Sequence, residues 1–281
     1  MTSLSETPNG QATAPSLSEV LADMGLAGLR LDELHATESG AGNMSVALRE
    51  TPDLTGFGNA EPYELPVAVP ALAGWTVVVT GSGTRLRDVA EHPDRCLAVV
   101  VIGDDGVDAT LHSAPARTYV RPTSEFNSHL GVHAEQVAAR PELSHHAIVH
   151  AQPPYLVALS HIPRLADTLT FSRAITRWEP ETIIQLPDGI GVIPYAAPGS
   201  DTLMAANVEQ LCDRQIVLWC KHGVMVRSDD GALAAVDKIE YAETGAMYEH
   251  WNMTSGGEGE GLTLDQIRGL IDAFGLVTTL Y

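Results

Sequence analysis

The chain has 281 residues, enough for one large domain or two small ones with a sizeable core. It carries 36 acidic against 16 basic residues, and its formal net charge of -20 argues against nucleic acid or an anionic membrane as a partner. Its three cysteines, Cys96, Cys212 and Cys220, lack CxxC spacing and are odd in number. This pattern argues against a disulfide framework and favours a cytoplasmic protein.

The first residues, MTSLSETPNGQATAP, are rich in Ser, Thr, Pro and Gly and lack the basic and apolar regions of a signal peptide. We expect residues 1–15 to form a flexible tail and residues 16–281 to form one domain. The domain is predicted to begin with an amphipathic helix over 16–31. Ser16 is its expected N-cap and Glu19 the partner of a capping box.

The middle of the chain alternates between short apolar strands and Gly-rich or Pro-rich loops. The turn SGAGN leads into a strand, MSVALR, and residues 51–70, with four prolines, are expected to be irregular. The stretch WTVVVT predicts a strand that ends in GSG. CLAVVVI and ATLHSA predict two strands joined by an Asp-Gly turn. A helix is expected over 124–140, followed by the strand AIVHA.

The second half mixes helices and strands without strict alternation. We expect strands at ETIIQL, GVIPYA, QIVLWC and KHGVMV, and helices starting at 155 and covering 200–212, 230–251 and 263–274. This order favours a layered α/β domain with a mixed sheet over a barrel.

Chemically active side chains stand where predicted strands end. His150 ends the strand AIVHA, and His222 follows the strand QIVLWC and precedes Gly223, which allows close approach of backbone or ligand. The loops SGAGN and TGSG can direct N–H and hydroxyl donors at an anion. The residues alone therefore indicate a divalent metal site at His150 and His222, with Glu125 nearby.

The segment VRPTSEFNSHLGVH leaves several interpretations open. Glu125, His129 and His133 are spaced by four and share one helix face. They could form a metal site of their own, as in a zincin-like hydrolase. Alternatively, the two histidines support Glu125 or pack against a neighbouring helix. His145 and His146, just before the next strand, are expected to be solvated.

The motifs GNMSV, VTGSG, PTSE, PDGIGVIPY, PGSD and LWCKHGV occur in an order that resembles the class II aldolase family, which includes adducin-type domains. The resemblance covers residues 20–275. It implies a three-layer α/β/α domain with a mixed, mostly antiparallel sheet, assembled as a homotetramer with its sites at subunit boundaries. It also implies reversible, metal-dependent cleavage of a ketose 1-phosphate to dihydroxyacetone phosphate and an aldehyde, through an enediolate.

Family members bind zinc through an H-x-H pair and a later histidine in an HG motif. Carried over to this sequence, the ligands are His150, Gln152 and His222, so that Gln152 stands where the family has a histidine. Zn²⁺ is the expected ion, and the harder Gln oxygen also suits Mn²⁺, Co²⁺ or Mg²⁺. Glu125 or His146 is an alternative ligand that would complete the shell.

The resemblance also assigns the remaining site residues. Glu125 is the expected catalytic acid–base, and Glu181 is expected to act in a neighbouring subunit's site. The phosphate donors correspond to Asn43, Ser82, Gly83, Thr123 and Ser124. Gly40 replaces an Asn donor, which leaves the requirement for a phosphate open. The alternatives are a sugar-phosphate epimerase or dehydratase of the same family, or a non-catalytic adducin-like domain.

Overall fold

A computed structural model describes residues 14–281 of the chain. These residues contain nine strands, which form one sheet in the order β2-β5-β4-β3-β1-β6-β9-β8-β7. All neighbours pair antiparallel except β7 and β8, which are parallel. The strands are β1 (Asn43–Leu48), β2 (Asn59–Glu64), β3 (Thr76–Thr80), β4 (Leu97–Ile102), β5 (Asp108–Ser113), β6 (His145–Ala151), β7 (Ile190–Ile193), β8 (Ile216–Trp219) and β9 (Gly223–Ser228).

Helices cover both faces of this sheet. Within residues 14–281 they are α1 (Leu17–Glu33), α2 (Pro93–Cys96), α3 (Phe126–Ala139), α4 (Pro154–Leu159), α5 (Thr168–Thr176), α6 (Pro180–Gln185), α7 (Asp201–Asp213), α8 (Ala232–Thr254) and α9 (Leu264–Phe274). One apolar core joins α1 and α8 to one face. Two smaller cores place α3 and α7 on the other. The three-layer α/β/α fold with a mostly antiparallel sheet is therefore confirmed.

The antiparallel pairing determines where the functional residues meet. Because neighbouring antiparallel strands run in opposite directions, the end of one strand and the start of the next share an edge. Asn43 begins β1 and pairs with His150 near the end of β6. The end of β3 and the start of β9 lie at the same edge. The loops that leave these strands therefore surround one region of the sheet.

The structure confirms the helix at the start of the domain. Ser16 accepts a hydrogen bond from the backbone N–H of Glu19, and the Glu19 side chain accepts one from the backbone of Ser16. This reciprocal pairing satisfies donors that the first turn leaves free. The expected flexible tail at 1–15 lies almost entirely outside the described residues.

Two predicted elements were wrong. ETIIQL was predicted as a strand but lies in α6, where Pro180 opens the first turn and Thr182 and Ile183 are buried. Proline suits this first turn because its missing N–H has no partner there. Residues 51–70 were expected to be irregular, yet they contain β2, a polar strand at the edge of the sheet with Pro62 inside it. Edge strands tolerate proline because one side of the strand has no partner.

The prediction that His145 and His146 are solvated was also wrong. Both belong to β6, and His146 is fully buried on a sheet face. Two polar residues at the start of a strand resemble loop sequence. The partner that allows His146 to be buried, His133, lies on another element and is not evident from the sequence of the strand. Across the described part of the chain, no helix is long and apolar enough to cross a bilayer.

Candidate active site

A cleft of about 220 Å³ opens at the edge of the sheet where β1 begins and β6 ends. All but one of the site residues predicted from sequence line it: Asn43, Ser82, Gly83, Thr123, Ser124, Glu125, His150, Gln152 and His222. Gly40, Ala41, Gly42, Gly81 and Pro198 complete its walls. Residues that are far apart in the chain therefore share one small polar cavity.

His150 is oriented for metal binding by its backbone neighbour. Its Nδ1 lies 2.8 Å from the carbonyl oxygen of Val224, which can only accept a hydrogen bond. Nδ1 therefore carries the proton, and the lone pair of Nε2 faces the cleft. The indole of Trp219 stacks on the imidazole, with ring centroids 4.3 Å apart, and fixes the plane of the ring. Trp219 was not among the residues predicted from sequence.

His222 reaches the cleft from the tight hairpin between β8 and β9. Lys221 adopts a left-handed backbone conformation, with φ of 67°, which turns the chain back within three residues. A Cβ at Gly223 would lie 2.3 Å from the carbonyl oxygen of Ala151, so only glycine fits there. The close approach expected at this position is confirmed. Burial, reinforced by the neighbouring His150, lowers the pKa of His222 and favours its neutral, metal-ligating form.

Glu125 lies between the two histidines and is almost completely buried. Its Oε2 is 3.5 Å from Nε2 of His150, and its Oε1 is 3.9 Å from Nε2 of His222. The ligand atoms of these three residues all lie within 4.8 Å of one another. The amide nitrogen of Asn43 donates to Oε2 over 2.8 Å, which holds the carboxylate in place.

Gln152 completes this group and provides a test of whether a metal fits. Its amide oxygen is buried and has no hydrogen-bond partner, while its amide nitrogen lies 2.8 Å from Nε2 of His150. A buried, unpaired oxygen is costly, and a cation beside it would satisfy it. With the terminal amide turned by half a rotation, the oxygen takes the place of the nitrogen beside Nε2 of His150. This oxygen, the two imidazole nitrogens and the adjacent carboxylate then form a donor set suited to a divalent ion.

The other half of the cleft is lined mainly by glycines and by residues with hydroxyl side chains. The backbone N–H of Ser82 donates to the carbonyl of Arg121, and that of Thr123 donates to the carbonyl of Thr80. These two bonds join the loop after β3 to the PTSE segment, so that Ser82, Thr123 and Ser124 face the same space. The loop at Gly40 contacts Gly83 closely and closes the cavity. Because these bonds use the backbone N–H groups of Ser82 and Thr123, the groups that remain available to an anion on this side include the hydroxyls of Ser82, Thr123 and Ser124.

Glu181 does not lie in this cleft. It is exposed on α6. Its role in a neighbouring subunit's site stays a prediction about the oligomer. The zincin-like alternative is wrong, because the side chains of His129 and His133 both bond to Ser45 and neither lines the cleft. His146 bonds to His133 and is likewise not part of the cleft.

Comparisons with known proteins identify the family to which this fold belongs. Residues 22–249 match the family described as Class II Aldolase and Adducin N-terminal domain, and the chain belongs to this family and is an enzyme of the class II aldolase type. It is similar to the rhamnulose-1-phosphate aldolase of Bacteroides thetaiotaomicron, with 30% identity over 85% of this chain and 88% of the relative. The rhamnulose-1-phosphate aldolase of an Escherichia coli strain is 28% identical over 85% of this chain and 87% of its own.

Solved structures show the same relationship. A sugar-phosphate aldolase from Thermotoga maritima aligns with a TM-score of 0.72 and 28% identity, over 85% of this chain and 97% of that chain. An L-fuculose-1-phosphate aldolase from Thermus thermophilus aligns with a TM-score of 0.54 over 87% and 100% of the two chains. At 18% identity, the second comparison shows the shared fold alone.

Proposed function

We propose that this enzyme is a metal-dependent aldolase that reversibly cleaves a ketose 1-phosphate resembling rhamnulose 1-phosphate into dihydroxyacetone phosphate and an aldehyde. The observation that carries the proposal is the cleft in which Glu125, His150, Gln152 and His222 face a set of anion-binding donors. The similarity to two rhamnulose-1-phosphate aldolases over most of the chain supports the substrate class.

The proposed metal ligands are His150, Gln152 and His222, with Zn²⁺ as the expected ion and Mn²⁺, Co²⁺ or Mg²⁺ as alternatives. A bound divalent ion supplies Lewis acidity, which stabilises negative charge that develops on the ketone oxygen. All three ligands are uncharged and therefore reduce this Lewis acidity less than anionic ligands would. The hydrogen bond from His150 to Val224 keeps the first ligand correctly oriented.

The proposed role of the donor loops is to hold the substrate phosphate. Asn43, Ser82, Gly83, Thr123 and Ser124 line the cleft with polar groups. The net charge of -20 repels an anionic substrate at long range. The binding energy must therefore come from these short-range donors, which also place the ketone beside Glu125.

The proposed reaction requires two proton transfers. Cleavage removes the proton from the C4 hydroxyl, breaks the C3–C4 bond and delivers a proton to C3. Glu125 exchanges the proton at C3, and such general acid–base assistance contributes roughly 10²–10⁴-fold in rate. The partner subunit's Glu181 exchanges the proton on the oxygen that becomes the aldehyde. We further propose a cytoplasmic homotetramer, since all three cysteines are free and Glu181 does not line its own cleft.

The proposed function is tested by incubating the purified enzyme, loaded with Zn²⁺, with L-rhamnulose 1-phosphate. We expect dihydroxyacetone phosphate, detected by NADH oxidation through an added glycerol-3-phosphate dehydrogenase. Fructose 1,6-bisphosphate serves as the control substrate, because it shares the C1 phosphate but carries a phosphate at C6, where rhamnulose 1-phosphate has a 6-deoxy carbon. Formation of an epimerised or dehydrated sugar phosphate without triose phosphate would replace the aldolase by one of the other family reactions.

A further inference from the structure

A continuous line of buried hydrogen bonds runs from Glu125 into the protein interior. The amide nitrogen of Asn43 lies 2.8 Å from Oε2 of Glu125, and its amide oxygen lies 2.5 Å from Nε2 of His129. Nδ1 of His129 then lies 2.7 Å from the hydroxyl of Ser45. Asn43 is therefore the link between the candidate active site and the interior groups.

The line continues beyond Ser45 to the far end of the sheet. The Ser45 hydroxyl also lies 2.7 Å from Nε2 of His133, and Nδ1 of His133 lies 2.8 Å from Nδ1 of His146. Nε2 of His146 faces Oδ1 of Asp229 at 4.0 Å. Ser45 and the three histidines are fully buried, whereas the Asp229 side chain is 37% exposed and paired with Arg140.

The chemistry of these groups allows only two directions for the whole line. A neutral imidazole has one N–H and one bare nitrogen, so a histidine that accepts on one side donates on the other. The buried Ser45 hydroxyl follows the same rule, because accepting from both histidines would leave its own hydrogen unpaired. Burial lowers the pKa of His129, His133 and His146 well below the usual range, which keeps all three neutral. Fixing one proton therefore fixes every other proton in the line.

The Glu125 end decides which direction is adopted. A carboxylate accepts hydrogen bonds, and Asn43 approaches it closely enough to donate one. In the opposite direction the Asn43 carbonyl oxygen would face the carboxylate, and His146 would donate to Asp229 across 4.0 Å, which is too long for a hydrogen bond. Arg140 pairs with Oδ2 of Asp229, whereas Oδ1 and Nε2 of His146 are both buried without a hydrogen-bond partner, so no bond between them fixes the far end of the line. Donation toward Glu125 is therefore favoured.

We propose that Ser45, His129, His133 and His146 are positioning residues that hold the amide of Asn43 with its NH₂ group toward Glu125. In this arrangement His146 donates from Nδ1, His133 from Nε2, Ser45 from its hydroxyl and His129 from Nε2. The carbonyl oxygen of Asn43 is used up by His129, so Asn43 presents only N–H donors to Glu125 and to the cleft. The amide of Asn43 therefore favours a substrate with a hydrogen-bond acceptor oxygen next to this NH₂ group.

The amide of Asn43 prevents this line of hydrogen bonds from conducting protons to Glu125. To pass a proton from His129 to Glu125, Asn43 would have to convert to an imidic acid, which is strongly disfavoured. The line therefore sets the orientation and hydrogen-bonding polarity of groups at the cleft, and the proton exchanged by Glu125 moves between the carboxylate and the substrate. The catalytic consequence of this inference rests on the proposed function, whereas the proton positions do not.

The proton positions are tested by neutron diffraction from deuterium-exchanged crystals of the wild-type protein at neutral pH. We expect deuterium on Nε2 of His129, Nε2 of His133 and Nδ1 of His146, with the Asn43 ND₂ group facing Glu125. Deuterium on Nδ1 of His129, or an Asn43 oxygen facing Glu125, would overturn the proposal. This measurement needs no substrate, so it remains decisive even if the enzyme cleaves no ketose 1-phosphate.

The catalytic consequence is tested with Ser45→Ala, which interrupts the line without touching the cleft. We expect kcat to fall about 10- to 100-fold, as for outer partners of active-site ligands, with KM and bound Zn²⁺ nearly unchanged. The matched control is Ser172→Ala, a fully buried serine that bonds to the backbone of Ile190 instead. Equal kcat values for the two variants would contradict the positioning role, as would a loss confined to thermal stability.

Discussion

The amide oxygen of Gln152 is buried without a hydrogen-bond partner, whereas the amide nitrogen of the same side chain lies beside Nε2 of His150. Turning the terminal amide by half a rotation exchanges its oxygen and nitrogen, and the oxygen then points to where a shared ion would lie. An amide oxygen is a weaker ligand for Zn²⁺ than an imidazole nitrogen. As the proposed third ligand, Gln152 would therefore reduce the zinc preference that two histidines give.

Replacing Gln152 by histidine should consequently tighten Zn²⁺ binding, by roughly 10-fold or more if the side chain is a ligand. Affinity can be measured by competition with a chromophoric zinc chelator. Gln185→His is the matched control, because Gln185 is exposed at the end of α6 and outside the cleft. An unchanged affinity in Gln152→His would remove this residue from the proposed ligand set.

Glu125 is close enough to both histidines to serve as a ligand or as an acid–base group. The substitution Glu125→Gln separates these roles, since it removes proton exchange but keeps the shape of the side chain. We expect a rate loss of roughly 10²–10⁴-fold with the metal retained, measured by steady-state kinetics and elemental analysis. Loss of the metal together with the activity would instead place Glu125 in the coordination shell.

For single residues, the sequence indicated some candidate site residues well and the roles of others poorly. The sequence indicated His150 and His222 as candidates because His150 ends one apolar strand and His222 follows another, and it indicated Gly223 because it follows a histidine. The sequence spacing of Glu125, His129 and His133 did not distinguish a metal cluster from supporting contacts. Their roles depend on Asn43 and Ser45, which lie far earlier in the chain. Spacing along a helix cannot show such a long-range partner.

Among the elements, α4 depends on a carboxylate from α8 at its start. The backbone N–H groups of Tyr155 and Leu156 donate to the two oxygens of Glu243, over 2.7 and 2.9 Å. Burial raises the pKa of Glu243 from 4.5 to about 7 in spite of these two bonds. The helix that follows Gln152 is thus anchored by a group whose charge changes near neutral pH.

A raised pKa in the folded state means that the folded protein holds this proton more tightly than the unfolded chain. The resulting stabilisation is fully present below pH 4.5 and is lost as the pH rises through about 7. Between pH 5 and pH 8 we expect Glu243 to lower the free energy of unfolding by about 2 kcal/mol.

Urea denaturation of wild type and Glu243→Gln at both pH values isolates this contribution, because glutamine does not titrate. The same comparison with Glu258→Gln, at an exposed position, should show no such difference. If wild type and Glu243→Gln have the same pH dependence, the titration of Glu243 makes no contribution to stability.

The elements that the sequence predicted well are those with strong local signals. The capping box at Ser16 and the apolar runs of β3, β4 and β8 fix their own structure. ETIIQL has the composition of a strand but forms α6, since Pro180 and packing against α8 decide its conformation. The stretch that contains β2 has too few apolar residues to indicate a strand, and it forms a strand because it pairs with β5.

At the scale of the whole molecule, Glu181 is exposed outside its own cleft, so its proposed catalytic role requires a neighbouring subunit. If Glu181 serves a neighbouring subunit, Glu125→Gln and Glu181→Gln impair different chains of the same site. Co-expression in equal amounts should then form sites in which both residues are intact, about a quarter of the total by random assortment in a symmetric oligomer.

The measurement is the aldolase rate of the co-expressed mixture against each variant alone. The control is a mixture of the two variants purified separately and combined without subunit exchange, which should show only the average of their activities. Absence of recovered activity in co-expressed oligomers would place Glu181 outside the shared site.

The stacking of Trp219 on His150 also has an optical consequence. An indole in van der Waals contact with an imidazole is sensitive to the charge on that ring, because a positively charged or metal-bound imidazole withdraws electron density from the excited indole. Trp219 is buried and donates its N–H to Asn207, so its environment is otherwise fixed. Its fluorescence should therefore change when a metal ion binds to Nε2 of His150. This gives the protein a built-in emission signal for titrating metal ions in solution.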